Sequence, residues 1–257
     1  MSWWETAPLW LVGLGVLATL LLAVEIGYRG HLWLVRRRAG DEAKEDGQTH
    51  LLGAVLGLLA LLLGFTFSLS LDRYETRRDL VVQEANALGT AWLRTQLLEE
   101  PNRAVVAGRL RNYVAARVAW SKAPHADPAA ASAGQQALWT AVGAALRTDS
   151  SPQLTRGLMD AVNESFDLAA SRIYERQAHI PDRVLFVLLL YTVLSSVMLG
   201  YVLAGSGRPH RIATFLTLML LSLALVLILD LDRPRSGAIQ VSQQPLEDLV
   251  ANMSRAP

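Results

Sequence analysis

The sequence predicts an all-α membrane protein. It has four spanning helices, a helical-bundle insert between spans 2 and 3, and a second span extended as one long helix. Three observations carry this. Four apolar stretches are each long enough to cross a bilayer, which takes about 20 helical residues. The polar stretch between the second and third repeats its apolar residues at helical spacing, with no strand-like alternation. Of the 257 residues, 52% are apolar and only 18% charged, with a mean hydropathy of +0.27, an unusual balance for a soluble chain.

The first span covers residues 9–26, with Glu25 near its end. No Lys or Arg precedes it and no small-residue cleavage site follows, so it does not read as a cleaved signal peptide. Trp3, Trp4 and Trp10 at its start, and Tyr28, His31 and Trp33 after its end, fit the two membrane–water interfaces. The second span, residues 51–71, carries no charge until Asp72. No Gly or Pro lies between Phe65 and Leu88, which predicts that the helix continues unbroken out of the membrane.

The insert, residues 72–182, holds about 13 acidic and 13 basic residues, so it has no basic patch. Four apolar sets mark its helices: Val81, Ala85, Leu88 and Trp92; Leu110, Tyr113 and Val114; Leu138, Val142 and Leu146; Leu158, Val162, Phe166, Ala169 and Ile173. Pro101, Pro124, Pro128 and Pro152 punctuate them. Asp149-Ser150-Ser151 before Pro152 reads as a helix start with a capping side chain, and residues 124–134 read as a loop. A helix through residues 158–179 is expected to kink at Pro181 where the third span, residues 184–203, begins. The fourth span covers residues 212–229 and stops at Asp230. The domains expected are thus a membrane hairpin (1–71), the insert (72–182), a second hairpin (183–231) and a C-terminal tail (232–257).

Seven basic residues lie in the two short loops (Arg29, Arg36, Arg37, Arg38, Lys44, Arg208, Arg211), against three in the termini (Arg233, Arg235, Arg255). The positive-inside rule then places the insert outside the cytoplasm, in a multi-pass protein of the cell's inner (plasma) membrane. Counting Arg73, Arg77, Arg78, Arg172, Arg176 and Arg183 on the insert side brings the vote close to a tie.

Enzyme chemistry is not expected. The chain has no Cys, and His31, His50, His125, His179 and His210 show no metal-ligand spacing. Phosphate-loop, nucleophile-elbow and His-Glu-x-x-His motifs are absent, so no catalytic residue, metal site or cofactor is assigned. A net charge of +1 argues against nucleic acid as a partner.

Gly53, Gly57, Ala60, Gly64 and Ser68 form a stripe of small residues on the second span. Tight packing inside the bundle is the leading expectation for it, and a subunit interface or pore wall the sharper one, with Thr66, Ser68 and Ser70 supplying hydroxyls and Phe65 and Phe67 a hydrophobic gate. Glu25 and Asp230 at span ends are expected to pair with Arg29 and Arg233. Arg73, Arg77 and Arg78 form either a solvated surface with Glu75 and Asp79, or an electropositive vestibule once subunits assemble. Glu84, Asn86, Asn163, Glu164 and Asp167 are expected to make interhelical hydrogen bonds.

The run Leu63-Gly64-Phe65-Thr66-Phe67-Ser68-Leu69-Ser70-Leu71-Asp72-Arg73-Tyr74 resembles part of the bestrophin neck helix. Glu84-Ala85-Asn86-Ala87, Gly89-Thr90-Ala91-Trp92-Leu93-Arg94 and Glu25-Ile26-Gly27-Tyr28-Arg29 extend the likeness to a bacterial bestrophin-like family of unknown function. True bestrophins are pentameric, calcium-gated anion channels. The resemblance therefore implies a homo-oligomer in membrane lipid that conducts a small anion. It also implies pore or gate positions at Gly57, Leu61 and Phe65, to which the small-residue stripe adds Gly64 and Ser68 and the charge pattern a vestibule at Arg73, Arg77 and Arg78. Of the acidic run that holds calcium in bestrophins, only Asp230 and Asp232 remain, and the neck proline is missing. Bestrophins keep the insert in the cytoplasm, opposite to the short-loop charge count. The alternative function is a non-conducting membrane sensor or scaffold whose insert binds a partner or ligand.

Overall fold

The computed structural model describes residues 7–37, 45–123, 128–148, 151–206, 210–234 and 236–255, and these are helical with no strand among them. Trp3, Trp4, Arg38, Lys44, His125, Asp149, Ser150, Arg208 and Arg235 lie outside them. The helices are α1 (Leu9–Arg37), α2 (Glu45–Thr95), α3 (Asn102–Lys122), α4 (Pro128–Thr148), α5 (Pro152–Gln177), α6 (Asp182–Gly205), α7 (Arg211–Asp232) and α8 (Gln244–Arg255). Four stretches are long and apolar enough to cross a membrane, and each expected span falls inside a helix.

The chain divides into two compact units: Met1–Tyr74 with His179–Gln240, and Glu75–Ala178 with Val241–Pro257. Helix α2 contributes to both and is unbroken, as the missing Gly and Pro predict.

In the first unit, α1 lies against α6 through two glycines. A Cβ on Gly27 would stand 1.9 Å from the Val197 carbonyl oxygen, and one on Gly200 would stand 2.0 Å from the Val24 carbonyl oxygen. Only bare backbones can approach this closely, the usual solution where lipid gives helices no hydrophobic reason to associate. Hydroxyls link further helix pairs of this unit. Ser222 Oγ donates to the Gly13 carbonyl at 3.0 Å and Tyr191 Oη to the Val55 carbonyl at 3.3 Å, while Thr192, Ser195 and Ser196 return theirs to their own helix. Leu59, Ile180, Leu188, Leu225 and Ile228 fill the centre. Exposed Trp10 and Trp33 are about 35 Å apart along α1 at ~1.5 Å per residue, close to the ~30 Å hydrocarbon thickness. Arg37 stacks on Trp33 at 3.9 Å.

In the second unit, the four apolar sets meet in one core. Val81, Ala85, Leu88, Trp92, Leu110, Tyr113, Val114, Leu138, Val142, Leu158 and Val162 are buried in it, with Phe166 packed against it. Residues 241–255 contribute to this core, since Leu246 and Met253 are fully enclosed and Lys122 pairs with Glu247 at 2.9 Å.

Three local expectations change. Residues 128–134, expected as loop, open α4 instead. Pro128 sits where the first turn tolerates proline, and the alanines after it are the strongest helix formers. Helix α5 does begin at Pro152, but Ser151 makes no side-chain capping bond. Pro181 separates α5 from α6 rather than kinking one helix, because it holds extended backbone (φ −54°, ψ 130°) before Asp182.

Candidate functional site

Helix α2 presents two different faces over its spanning part. Leu52, Leu59, Thr66 and Ser70 are buried, and the Thr66 and Ser70 hydroxyls donate to the Leu62 and Thr66 carbonyls. Gly53, Gly57, Ala60, Leu61, Gly64, Phe65 and Ser68 are exposed, Phe65 at 72%. A Cβ on Gly53, Gly57 or Gly64 would meet nothing within 4 Å. Among the described residues the small-residue stripe therefore makes no close helix contact, whereas α1 and α6 meet at Gly27 and Gly200. Of the three hydroxyls expected along a pore, Ser68 alone lies on the exposed face. Beyond Ser68 the same helical spacing leads to exposed Asp72, Glu75 and Asp79.

The three arginines expected at a vestibule separate. Arg77 is buried and donates to the Glu175 carbonyl at 3.2 Å and the Ala178 carbonyl at 2.7 Å, satisfying the C-terminal end of α5. Arg78 is exposed and pairs with Asp79 at 3.3 Å. Arg73 is partly buried. At the first span's end Glu25 pairs with Arg29 at 2.6 Å, as expected.

The second unit encloses an ionic cluster. Glu84 on α2 is completely buried and takes Arg117 of α3 in a two-pronged pair, 2.5 and 3.1 Å, while its second oxygen also accepts from Arg172 of α5. Arg172 Nη2 also donates to Gln243 Oε1 at 2.7 Å. Arg117, Arg172 and Arg176 surround the Trp120 ring at 4.6, 5.9 and 4.2 Å. Burial lowers the pKa of Arg172 and Glu84 opposes that shift. Burial pushes Tyr113 up to about 12, against the pull of Arg117. This arrangement braces helices and offers no exposed nucleophile or base. Of the five polar residues expected to bridge helices, Glu84 does so. Asn163 bonds Asp167 within α5, and Asn86 and Glu164 are exposed.

Three buried charges gather where α7 ends. Asp230 Oδ1 accepts the Ala238 N–H at 2.6 Å and Asp232 Oδ1 the Ile180 N–H at 2.9 Å. His179 Nδ1 lies 3.1 Å from the Asp232 carbonyl and 3.6 Å from its carboxylate. Buried Arg233 donates from Nη1 to the Ala7 carbonyl at 2.8 Å. These residues do not fit a calcium ion, which asks for about six to eight oxygen ligands. One oxygen of each carboxylate already holds an amide donor, buried Asp232 Oδ2 has no hydrogen-bond partner, and among the described residues no three acidic or histidine side chains converge as a metal site. An apolar cavity of about 700 Å³ lies between α1, α6 and α7, lined by residues such as Leu11, Val16, Leu185, Leu189 and Ile228.

Arg117, Arg172, Arg233, Gly27 and Gly200 are the structural residues that sequence reasoning missed in these roles. A signal existed for the first two. Arg117 continues the apolar spacing of Leu110, Tyr113 and Val114, and Arg172 that of Leu158, Val162 and Ala169, so each is a charge on a core-facing stripe.

A family model described as a Bestrophin-like domain matches residues 18–246. Among solved structures, the chain is similar to a mutated bacterial bestrophin homolog from Klebsiella pneumoniae, at 16% identity and a TM-score of 0.59. That match covers 93% of this chain and 98% of the other, and at such identity it speaks for the fold. No curated protein matches.

Proposed function

The chain belongs to the bestrophin-like family, and from that membership we propose that it assembles as a homo-oligomeric ion channel of the plasma membrane, with α2 lining the pore. The observation that carries this reading is the exposed face of α2. Gly57, Leu61, Gly64, Phe65 and Ser68 face away from the protomer's own helices. In a closed ring, one such face from each copy would surround the axis. Small residues leave room for ions and water, and Phe65 and Leu61 supply constrictions able to gate by dewetting. The apolar surfaces of α1, α6 and α7, including the cavity between them, are suited to lipid chains.

The charges along that face bear on the permeant ion. Asp72 and Glu75 follow Ser68 in register, Arg78 is paired with Asp79, and Arg77 is committed to α5. Arg73 is partly buried, so the exposed carboxylates of Asp72 and Glu75 tilt this face toward cations rather than the small anion expected by resemblance.

Planar-bilayer recording of purified protein tests the reading. Unitary currents are expected, enlarged or less gated in Phe65→Ala and reduced in Ser68→Arg. Leu220→Ala on the exposed surface of α7 is the control that leaves them unchanged. Reversal potentials across a salt gradient read the sign of the permeant ion. Silence across voltages and salts with a folded, oligomeric preparation would sink the channel and leave the sensor or scaffold.

A further inference from the structure

We propose that the groove between α1, α6 and α7 holds one acyl chain of a zwitterionic phospholipid, whose ammonium headgroup meets Asp182. This deepens the fit of that cavity to lipid chains and rests on the spanning fold, not on conduction. The cavity measures about 700 Å³, within the ~300–1,000 Å³ of ordinary ligand sites. Its wall follows α1 from Leu11 to Thr19, about 12 Å at ~1.5 Å per residue. That is close to half of a ~30 Å hydrocarbon layer, the depth of a single leaflet. Exposed Leu11, Phe186 and Leu189 leave the groove open sideways, where a chain can enter from the bilayer.

The lining suits hydrocarbon rather than water. Thr19 returns its hydroxyl to the Gly15 carbonyl at 2.8 Å, whereas a buried water asks for about two to four polar partners. A Cβ on Gly15 would meet nothing within 4 Å, so no neighbouring helix requires the missing side chain. Glycine weakens a helix interior, and what it leaves here is room in the groove. Charge marks one end. Asp182, the first residue of α6, lines the cavity and is exposed, with exposed Arg183 beside it in sequence. Arg233 bonds the Ala7 carbonyl and the Ile180 N–H bonds Asp232, so the starts of α1 and α6 and the end of α7 gather at this level. A carboxylate accepts from an ammonium and a guanidinium donates to a phosphate, so the pair matches a zwitterionic headgroup.

Native mass spectrometry and thermal unfolding of the purified full-length protein test this, with dioleoyl phosphatidylethanolamine and dioleoyl phosphatidylglycerol as probes. The wild type is expected to retain one phosphatidylethanolamine per protomer and to melt higher as that lipid is added. Phosphatidylglycerol has the same chains without the ammonium, and should need about tenfold more for the same rise, the loss of one charged hydrogen bond. Asp182→Asn is expected to erase that preference. Gly15→Leu is expected to fill the groove and abolish both retention and rise, while Leu220→Phe on the exposed surface of α7 changes neither. A wild type that retains no lipid, or responds equally to both, overturns the proposal. So does Gly15→Leu binding lipid like the wild type. Gly15→Leu that changes the oligomeric state but not lipid retention assigns the groove to a neighbouring copy and overturns it too. If Gly15→Leu does not fold, the wild type decides: lysophosphatidylethanolamine should raise the melting temperature and glycerophosphoethanolamine, the headgroup alone, should not. Any other result counts against the proposal. Retained lipid with silent bilayers would sink conduction and leave the lipid site standing.

Discussion

Glu84 is the negative charge shared by Arg117 and Arg172 in a buried core. A buried pair is weak evidence for stability as such, but removing one partner leaves the other buried and uncompensated. Glu84→Gln keeps the shape and strands two guanidiniums, so it should cost about 3–5 kcal/mol of stability, read by thermal or denaturant unfolding of the purified protein. Tyr113, in the same core, has a folded pKa raised from 10.0 to about 12. The sign follows from the raised value: the folded state holds the phenolic proton more tightly than the unfolded one. Stability is intact below about pH 10 and falls as pH rises toward 12, by up to about 3 kcal/mol. Tyr113→Phe should remove that alkaline decline in unfolding measurements made across the same range. The sequence showed Glu84 as a polar residue near an apolar face, yet its partners stand 33 and 88 residues away. No spacing rule connects residues on separate helices.

Glycine gives the clearest contrast at the level of helices. Gly53 and Gly57 match the small-residue pattern of helix pairs, but within the protomer Gly27 and Gly200 carry the contact. Gly27→Ala drives a methyl group into the Val197 carbonyl and should cost about 1–3 kcal/mol or more, seen as a lower melting temperature in detergent. Gly57→Ala meets open space, and by helix propensity it should leave protomer stability unchanged or raise it by about 1 kcal/mol; any loss would belong to the oligomer. Span positions, the continuous α2 and the four apolar faces of the insert were all legible, because each is written in the periodicity of one segment. The opening of α4 was misread because prolines and alanines serve a helix start as readily as a loop. The docking of α8 was not legible, since twelve residues declare an apolar face without saying what covers it.

For the whole molecule, the side of the membrane taken by the insert is a proposal from charge. Arg172 and Arg176, counted beside the membrane in the sequence vote, are occupied within the second unit by Glu84, Gln243 and the Ala123 carbonyl. That weakens their vote against the short-loop count, from which we propose that the insert lies outside the cytoplasm. Because the chain has no cysteine, Ser132→Cys, at an exposed position of α4, reports the answer directly. Labelling by a membrane-impermeant thiol reagent in intact cells is expected, and labelling only after lysis would reverse the orientation. Length, apolar runs and helical spacing were enough to establish four helices long and apolar enough to cross a membrane and a helical insert between the second and third, since these are local properties of the chain that water and lipid read segment by segment. Which face of α2 stays uncovered, which glycines touch, and which arginines are consumed inside the protein emerged from three-dimensional packing alone. Those outcomes depend on pairs of surfaces far apart in the chain, and a one-dimensional pattern names each surface without naming its mate.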